Sequence, residues 1–175
     1  MTPRLVLVGP PGAGKTTVGR RVANRWQVSF LDTDTEIEKA VGKSVADIFL
    51  EDGEPFFRQR EVDTVVSLVA SFDGVLSLGG GAVLDERVRA ALSGLPVVWI
   101  DVELPLAVRR VGLNTARPLL VGNVRSKLAA LLKERAPFYR EVAKWRVLSS
   151  EGSPDRTVDK VVAAVEGADD GSVRN

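Results

Sequence analysis

GPPGAGKTT, residues 9 to 17, limits what this chain can fold into more than any other stretch. It fits G-x-x-x-x-G-K-[ST] from Gly9 to Thr16 and follows the apolar run RLVLVG (4–9), which reads as a buried strand. A helical stretch opens at Lys15 and runs to about Trp26. A glycine-rich loop between strand and helix turns successive peptide N–H groups toward one point, and the helix N-terminus adds a field that favours anions. The chain is therefore read as binding a nucleoside triphosphate through Gly12, Ala13, Gly14, Lys15, Thr16 and Thr17. In that role Lys15 bridges the β- and γ-phosphates and the Thr16 hydroxyl binds Mg²⁺.

The rest of the chain keeps the same rhythm. VSFLD (28–32), GVLSLG (74–79), PVVWID (96–101) and KWRVLS (144–149) read as further strands. Helices are expected through TEIEKAVG, from Glu54 to Ala70, and at about 85–92, 104–110, 123–135 and 156–165. Ser44, with Asp47 three residues on, predicts the N-cap of one more short helix, and Pro55 is tolerable in a first helical turn. Strands that are apolar throughout imply a parallel sheet covered on both faces, an α/β fold. One domain over 1–166 is expected, with a polar tail at 167–175 that has nothing to pack. Residues 111–122, VGLNTARPLLVG, fit neither period and read as a mobile loop of functional length.

Absent residues narrow the chemistry. The chain has no cysteine and no histidine, which removes thiolate nucleophiles, imidazole bases and the zinc sites built on them. A general base must come from Asp or Glu, and a divalent metal would be oxygen-ligated, which favours Mg²⁺. A formal net charge of +1 gives no case for nucleic acid or a membrane surface as partner. No apolar run approaches the roughly 20 residues that span a bilayer. MTPRLVLVGP lacks a signal peptide's cleavage region, so a cytoplasmic protein is expected.

Guanine-specific GTPases carry N-K-x-D after a later strand, and this chain has none. Where motor ATPases end a strand in acids, it has VLSLGGG. Two acids, Asp32 and Asp34, instead close the second strand in LDTD. Their spacing aims both to one side, so that one can reach a metal's coordination shell and the other an acceptor hydroxyl. The alternative makes Asp32 a helix N-cap and Asp34 a first-turn acid. Gly79, Gly80 and Gly81 bare the backbone either for a positive φ or for the close approach of another group.

GPPGAGKTT, LDTD, FFRQRE, LGGGAV, ARPLL and ERAPFY, in this order and spacing, resemble the shikimate kinase family over roughly residues 4 to 165. The resemblance implies a P-loop NTPase fold of nucleoside-monophosphate-kinase type: a five-stranded parallel sheet flanked by helices, a substrate-binding region at about 33–61 and a lid at about 111–122. It implies transfer of the ATP γ-phosphate to the 3-hydroxyl of shikimate, in aromatic amino-acid biosynthesis. Arg58 and Arg135 would hold the substrate carboxylate, Glu61 would orient Arg58, and Phe49 and Phe57 would wall the ring. Asp34 would take the proton of the attacking hydroxyl, Asp32 would reach the metal through water, and the N–H groups of Gly79, Gly80 and Gly81 would face the substrate hydroxyls. Arg117 would lie over the transferring phosphates, and Arg110 and Pro154 beside the adenine. A monomer with no obligate protein partner is expected. Another kinase of polyhydroxy carboxylates, such as gluconate kinase, is the nearest alternative. An ATP-binding protein without turnover is a second, against which Lys15, Thr16, Asp34 and Arg117 together argue.

Overall fold

The structure, a computed structural model, describes residues 1–112 and 123–167. The loop expected at 111–122 lies, but for its first two residues, outside the described residues, and so does all of the tail beyond Gly167. Among the described residues five strands form one parallel sheet: β1 (Leu5–Val8), β2 (Ser29–Asp32), β3 (Gly74–Ser77), β4 (Val97–Asp101) and β5 (Trp145–Leu148). Their order is β2-β3-β1-β4-β5.

The register decides what the sheet presents. Ser77 pairs with Leu7 on one side and with Asp32 on the other, so β1, β2 and β3 end at one level. From β1 the chain crosses over β3 to reach β2, and from β3 it crosses β1 to reach β4. The connections thus diverge between β1 and β3, where open parallel sheets form a crevice at the strands' carboxyl ends.

Helices cover both faces, as the apolar strands require. Leu5, Leu7, Val98 and Ile100 pack with α1 (Lys15–Trp26), α6 (Leu104–Gly112) and α8 (Asp155–Glu166). Val6, Val8, Leu76 and Trp99 pack with α4 (Glu54–Ser71), α5 (Glu86–Ala91) and α7 (Val124–Val142). A smaller cluster of Ile37, Ile48 and Phe57 ties α2 (Thr33–Val41) and α3 (Val45–Glu51) to the start of α4.

Two elements depart from expectation. Helix α7 continues seven residues past the expected end at 135, through Pro137 to Val142. Pro137 has no N–H to offer the carbonyl of Lys133, a local cost of about 3 kcal/mol. Burial of Leu128, Arg135 and Tyr139, with Ala136 and Phe138 against the core, carries the helix across it. A 3₁₀ turn at Ala82–Leu84, unforeseen, follows the glycines. Ser44 caps α3 as expected, its Oγ accepting from Asp47 N at 3.1 Å.

Ser44→Ala should therefore lower unfolding free energy by about 1 kcal/mol in urea titrations, the usual worth of an exposed N-cap. An unchanged midpoint would show that α3 is held by Ile48 and Phe49 alone.

Candidate functional site

The phosphate loop leaves β1 at Gly9 and enters α1 at Lys15, as the sequence requires. Gly12 and Gly14 have φ of 80° and 88°, left-handed values that a side chain would strain. Lys15 Nζ donates to the carbonyls of Gly9 at 2.8 Å and Pro10 at 3.1 Å, which fixes the ammonium over the loop. Thr16 Oγ1 donates to Asp32 Oδ2 at 2.8 Å, joining the loop to the end of β2. The other Asp32 oxygen caps α2, accepting from Asp34 N at 3.0 Å. The capping and metal-facing readings of Asp32 thus do not compete, since each uses a different oxygen.

Thr16 and Asp32 together offer a hydroxyl and a carboxylate oxygen, hard donors of the type Mg²⁺ takes. Among the described residues no group of three or more acids could hold a metal unaided. Mg²⁺ characteristically completes its octahedron with phosphate oxygens and water, and the donor set fits that ion.

At the triple glycine the structure chooses between the two reasons for glycine. None of Gly79, Gly80 and Gly81 has a left-handed φ. What excludes side chains is crowding. A Cβ on Gly79 would sit 2.6 Å from Asp34 Oδ1 and 2.8 Å from Glu61 Oε2. On Gly80 it would sit 3.2 Å from Arg135 Nη1 and from Pro11 Cδ, and on Gly81 2.7 Å from Arg58 Nη2. Four charged side chains drawn from α2, α4 and α7 therefore converge on three residues of backbone, and the phosphate loop adjoins them at Pro11.

Within this cluster Arg58 Nη1 donates to Glu61 Oε1 at 2.8 Å, the pairing expected from their spacing on α4. Glu61 is 2% exposed and Arg135 4%. Arg135 Nε has no hydrogen-bond partner among the described residues. Burial pushes the Glu61 carboxyl up to about 7; Arg58 opposes that rise and the Asp34 carboxylate adds to it. The Phe49 and Phe57 rings lie 4.8 Å apart, and the Arg58 guanidinium stands 6.0 Å and 5.4 Å from their centroids. Phe57 is also core, 3% exposed; the two aromatics wall the guanidinium more directly than they wall open space.

On the other face of the phosphate loop Ala13, Gly14, Thr17, Arg110, Gly152 and Pro154 line a cavity of about 200 Å³. Arg110 Nη1 donates to Gly12 O at 3.0 Å and Ser149 Oγ at 2.8 Å, and Nη2 to Ser150 O at 2.8 Å. Arg110 thereby braces the phosphate loop against the β5–α8 connection besides walling the cavity. Arg117 lies outside the described residues.

Two residues at the glycines escaped the sequence reading. Gly79 N donates to Thr33 Oγ1 at 3.1 Å, so this N–H is engaged within the protein and does not face a substrate as expected. Tyr139 Oη donates to Gly80 O at 2.6 Å. The available signals were position: Thr33 between the two acids of LDTD, and Tyr139 four residues after Arg135 on one helical face.

Glu61 holds its proton more tightly folded than unfolded. Its contribution to stability is present in full below its ordinary value of 4.5 and is lost as pH rises to about 7. Urea unfolding across that window should show wild type losing stability relative to Glu61→Gln, which has no proton to lose. Parallel curves would show that Glu61 titrates elsewhere.

The family model for shikimate kinase matches residues 11–166. A protein from Thermobifida fusca named shikimate kinase is 51% identical over 96% of this chain and 98% of its own. The structure is similar to that of a shikimate kinase from Acinetobacter baumannii in complex with shikimate, with TM-score 0.91 and 37% identity over 96% of this chain and 94% of that one. A gluconokinase from Sinorhizobium meliloti shares the fold alone, with TM-score 0.57 and 18% identity over 94% of this chain and 91% of that one.

Proposed function

The chain belongs to the shikimate kinase family, and we propose that it transfers the γ-phosphate of ATP to the 3-hydroxyl of shikimate, giving shikimate 3-phosphate and ADP. One observation supports this reading: the acid–arginine cluster abuts the phosphate loop, so that a Cβ on Gly80 would lie 3.2 Å from both Arg135 and Pro11. An acceptor held by the cluster would lie beside the phosphates held by the loop, and holding two reactants adjacent is where most of a phosphoryl transferase's catalysis arises.

In this reading the guanidiniums of Arg58 and Arg135 hold the substrate carboxylate, Arg58 kept in orientation by Glu61. Asp34 receives the proton of the attacking hydroxyl as its oxygen bonds to the γ-phosphorus and the bond to the β-phosphate oxygen breaks, releasing ADP. Lys15 neutralises charge developing on the β- and γ-phosphate oxygens. Thr16 and Asp32 would hold Mg²⁺, which when bound neutralises the same oxygens. The cavity beside Arg110 and Pro154 suits the adenine, and Arg117 keeps its proposed place over the transferring phosphates. Among the described residues no helix is long and apolar enough to cross a membrane; the proposal places the protein in the cytoplasm, acting as a monomer.

Coupled ADP release should depend on shikimate and be absent with gluconate and other hydroxy acids; turnover of gluconate instead would overturn the substrate. Lys15→Ala should abolish turnover and leave the circular dichroism spectrum unchanged. Arg58→Lys keeps the charge and loses the planar fork, so KM for shikimate should rise roughly ten- to a hundred-fold, about 1.4 kcal/mol per factor of ten. KM for ATP should barely move, because the phosphate loop lies across the reacting oxygen. Equal weakening of both would remove Arg58 from the carboxylate site.

A further inference from the structure

A triple glycine gives the substrate room, but it is also the stretch of backbone least able to hold a direction, since glycine has the widest choice of φ and ψ. Three successive peptide planes here are nevertheless each tied. The Leu78–Gly79 plane is held by Gly79 N on Thr33 Oγ1 at 3.1 Å, and the plane before it by Leu78 N on Leu7 O at 3.0 Å. The Gly79 carbonyl accepts from Ala82 N at 3.1 Å. The Gly80 carbonyl accepts from Tyr139 Oη at 2.6 Å.

In a trans peptide the carbonyl and the following N–H point in opposite directions. Fixing the Gly79 carbonyl therefore fixes the Gly80 N–H, and fixing the Gly80 carbonyl fixes the Gly81 N–H, aimed away from Tyr139. Among the described residues neither N–H has an acceptor. A Cβ on Gly81 would meet Arg58 and one on Gly80 would meet Arg135, the proposed carboxylate ligands.

We propose that Thr33 and Tyr139 are positioning residues whose hydroxyls clamp the triple glycine, so that the Gly80 and Gly81 N–H groups are presented to the acceptor. Both side chains are buried, 0% and 1% exposed, and their hydroxyls make these contacts across the fold, over 46 and 59 residues of sequence. Burial pushes the Tyr139 hydroxyl up to about 12, with Arg135 opposing, so it stays protonated and donates at neutral pH. Thr33 opens α2 one residue before Asp34, so the element that carries the proposed base is tied to the same glycines. The inference rests on shikimate being the acceptor.

The test compares full-length wild type with Tyr139→Phe, Thr33→Val and Thr33→Ser. Phenylalanine keeps the ring that packs 5.8 Å from Trp99, and valine keeps the shape of threonine without its hydrogen bond. Calorimetric titration with shikimate should show about five- to tenfold weaker binding for Tyr139→Phe and for Thr33→Val, the range for one lost neutral hydrogen bond. KM for ATP should stay within about twofold, and Thr33→Ser should restore shikimate binding. A fall in Tm with shikimate affinity unchanged would reduce both residues to structural ones and overturn the clamp. Equal weakening of ATP and shikimate, or no rescue by serine, would overturn it too. If one variant fails to fold, the other decides alone, since each acts on a different peptide plane. Failure of wild type to bind shikimate would overturn the substrate reading and the clamp with it; normal wild-type binding with unaffected variants would overturn only the clamp.

Discussion

Two carboxylates and two guanidiniums pressed against a backbone without side chains set the terms for everything around them. A buried charge left unpaired costs several kcal/mol, so Asp34, Glu61, Arg58 and Arg135 are tolerable together only because their signs balance at close range. The balance is incomplete. Burial outweighs the pull of both arginines on Glu61 and raises its carboxyl to about 7, so near neutral pH it is ionised only in part. Arg58 is shared besides with Glu54, one turn earlier on α4, at 3.3 Å. In the proposed reading a substrate carboxylate would give the two guanidiniums a planar partner, which a neutral polyol would not.

The cluster exists where it does because of the sheet. Side chains from three helices meet the glycines because β1, β2 and β3 end in register, which brings the phosphate loop, LDTD and LGGGAV to one rim. With the order β2-β3-β1-β4-β5, α2 and α4 with the proposed acceptor residues Asp34, Arg58 and Glu61 follow the strands on the β2 side of β1, and the cavity proposed for the base lies by the β5–α8 connection. The transferred group would pass between them at the central strand. The strand order thus sets the two proposed sites on either side of the phosphate loop.

Much of this was legible in the chain. The loop at Gly9–Thr16, five apolar strands and the Ser44 cap are local signals, written in glycine spacing, hydrophobic runs and a hydroxyl at a helix start. Crowding is not local. LGGGAV leaves open whether its glycines serve φ or space, and only the positions of Asp34, Glu61, Arg58 and Arg135 answer it. The dual use of Asp32 was hidden for a related reason: sequence assigns a residue to a role, whereas a carboxylate has two oxygens and fills two.

The end of α7 shows how local and tertiary rules trade. A proline at 137 is a sound reason for a helix to stop there, and the sequence reading ends this one at about 135. The chain instead continues, because Arg135 and Tyr139 lie one turn apart on the inward face toward Gly80, the guanidinium filling the space a Cβ there would need and the hydroxyl donating to its carbonyl. Ending the helix at the proline would release the tyrosine, leave the part-buried Gly80 carbonyl without its donor, at a cost of about 1 kcal/mol, and lose the ring packing, a large buried aromatic being worth about 3 kcal/mol or more. Those two losses together match or exceed the penalty of carrying a proline. The helix therefore breaks its own rule at the turn that addresses the glycines, and departures from local rules of this kind gather where a fold is committed to a site.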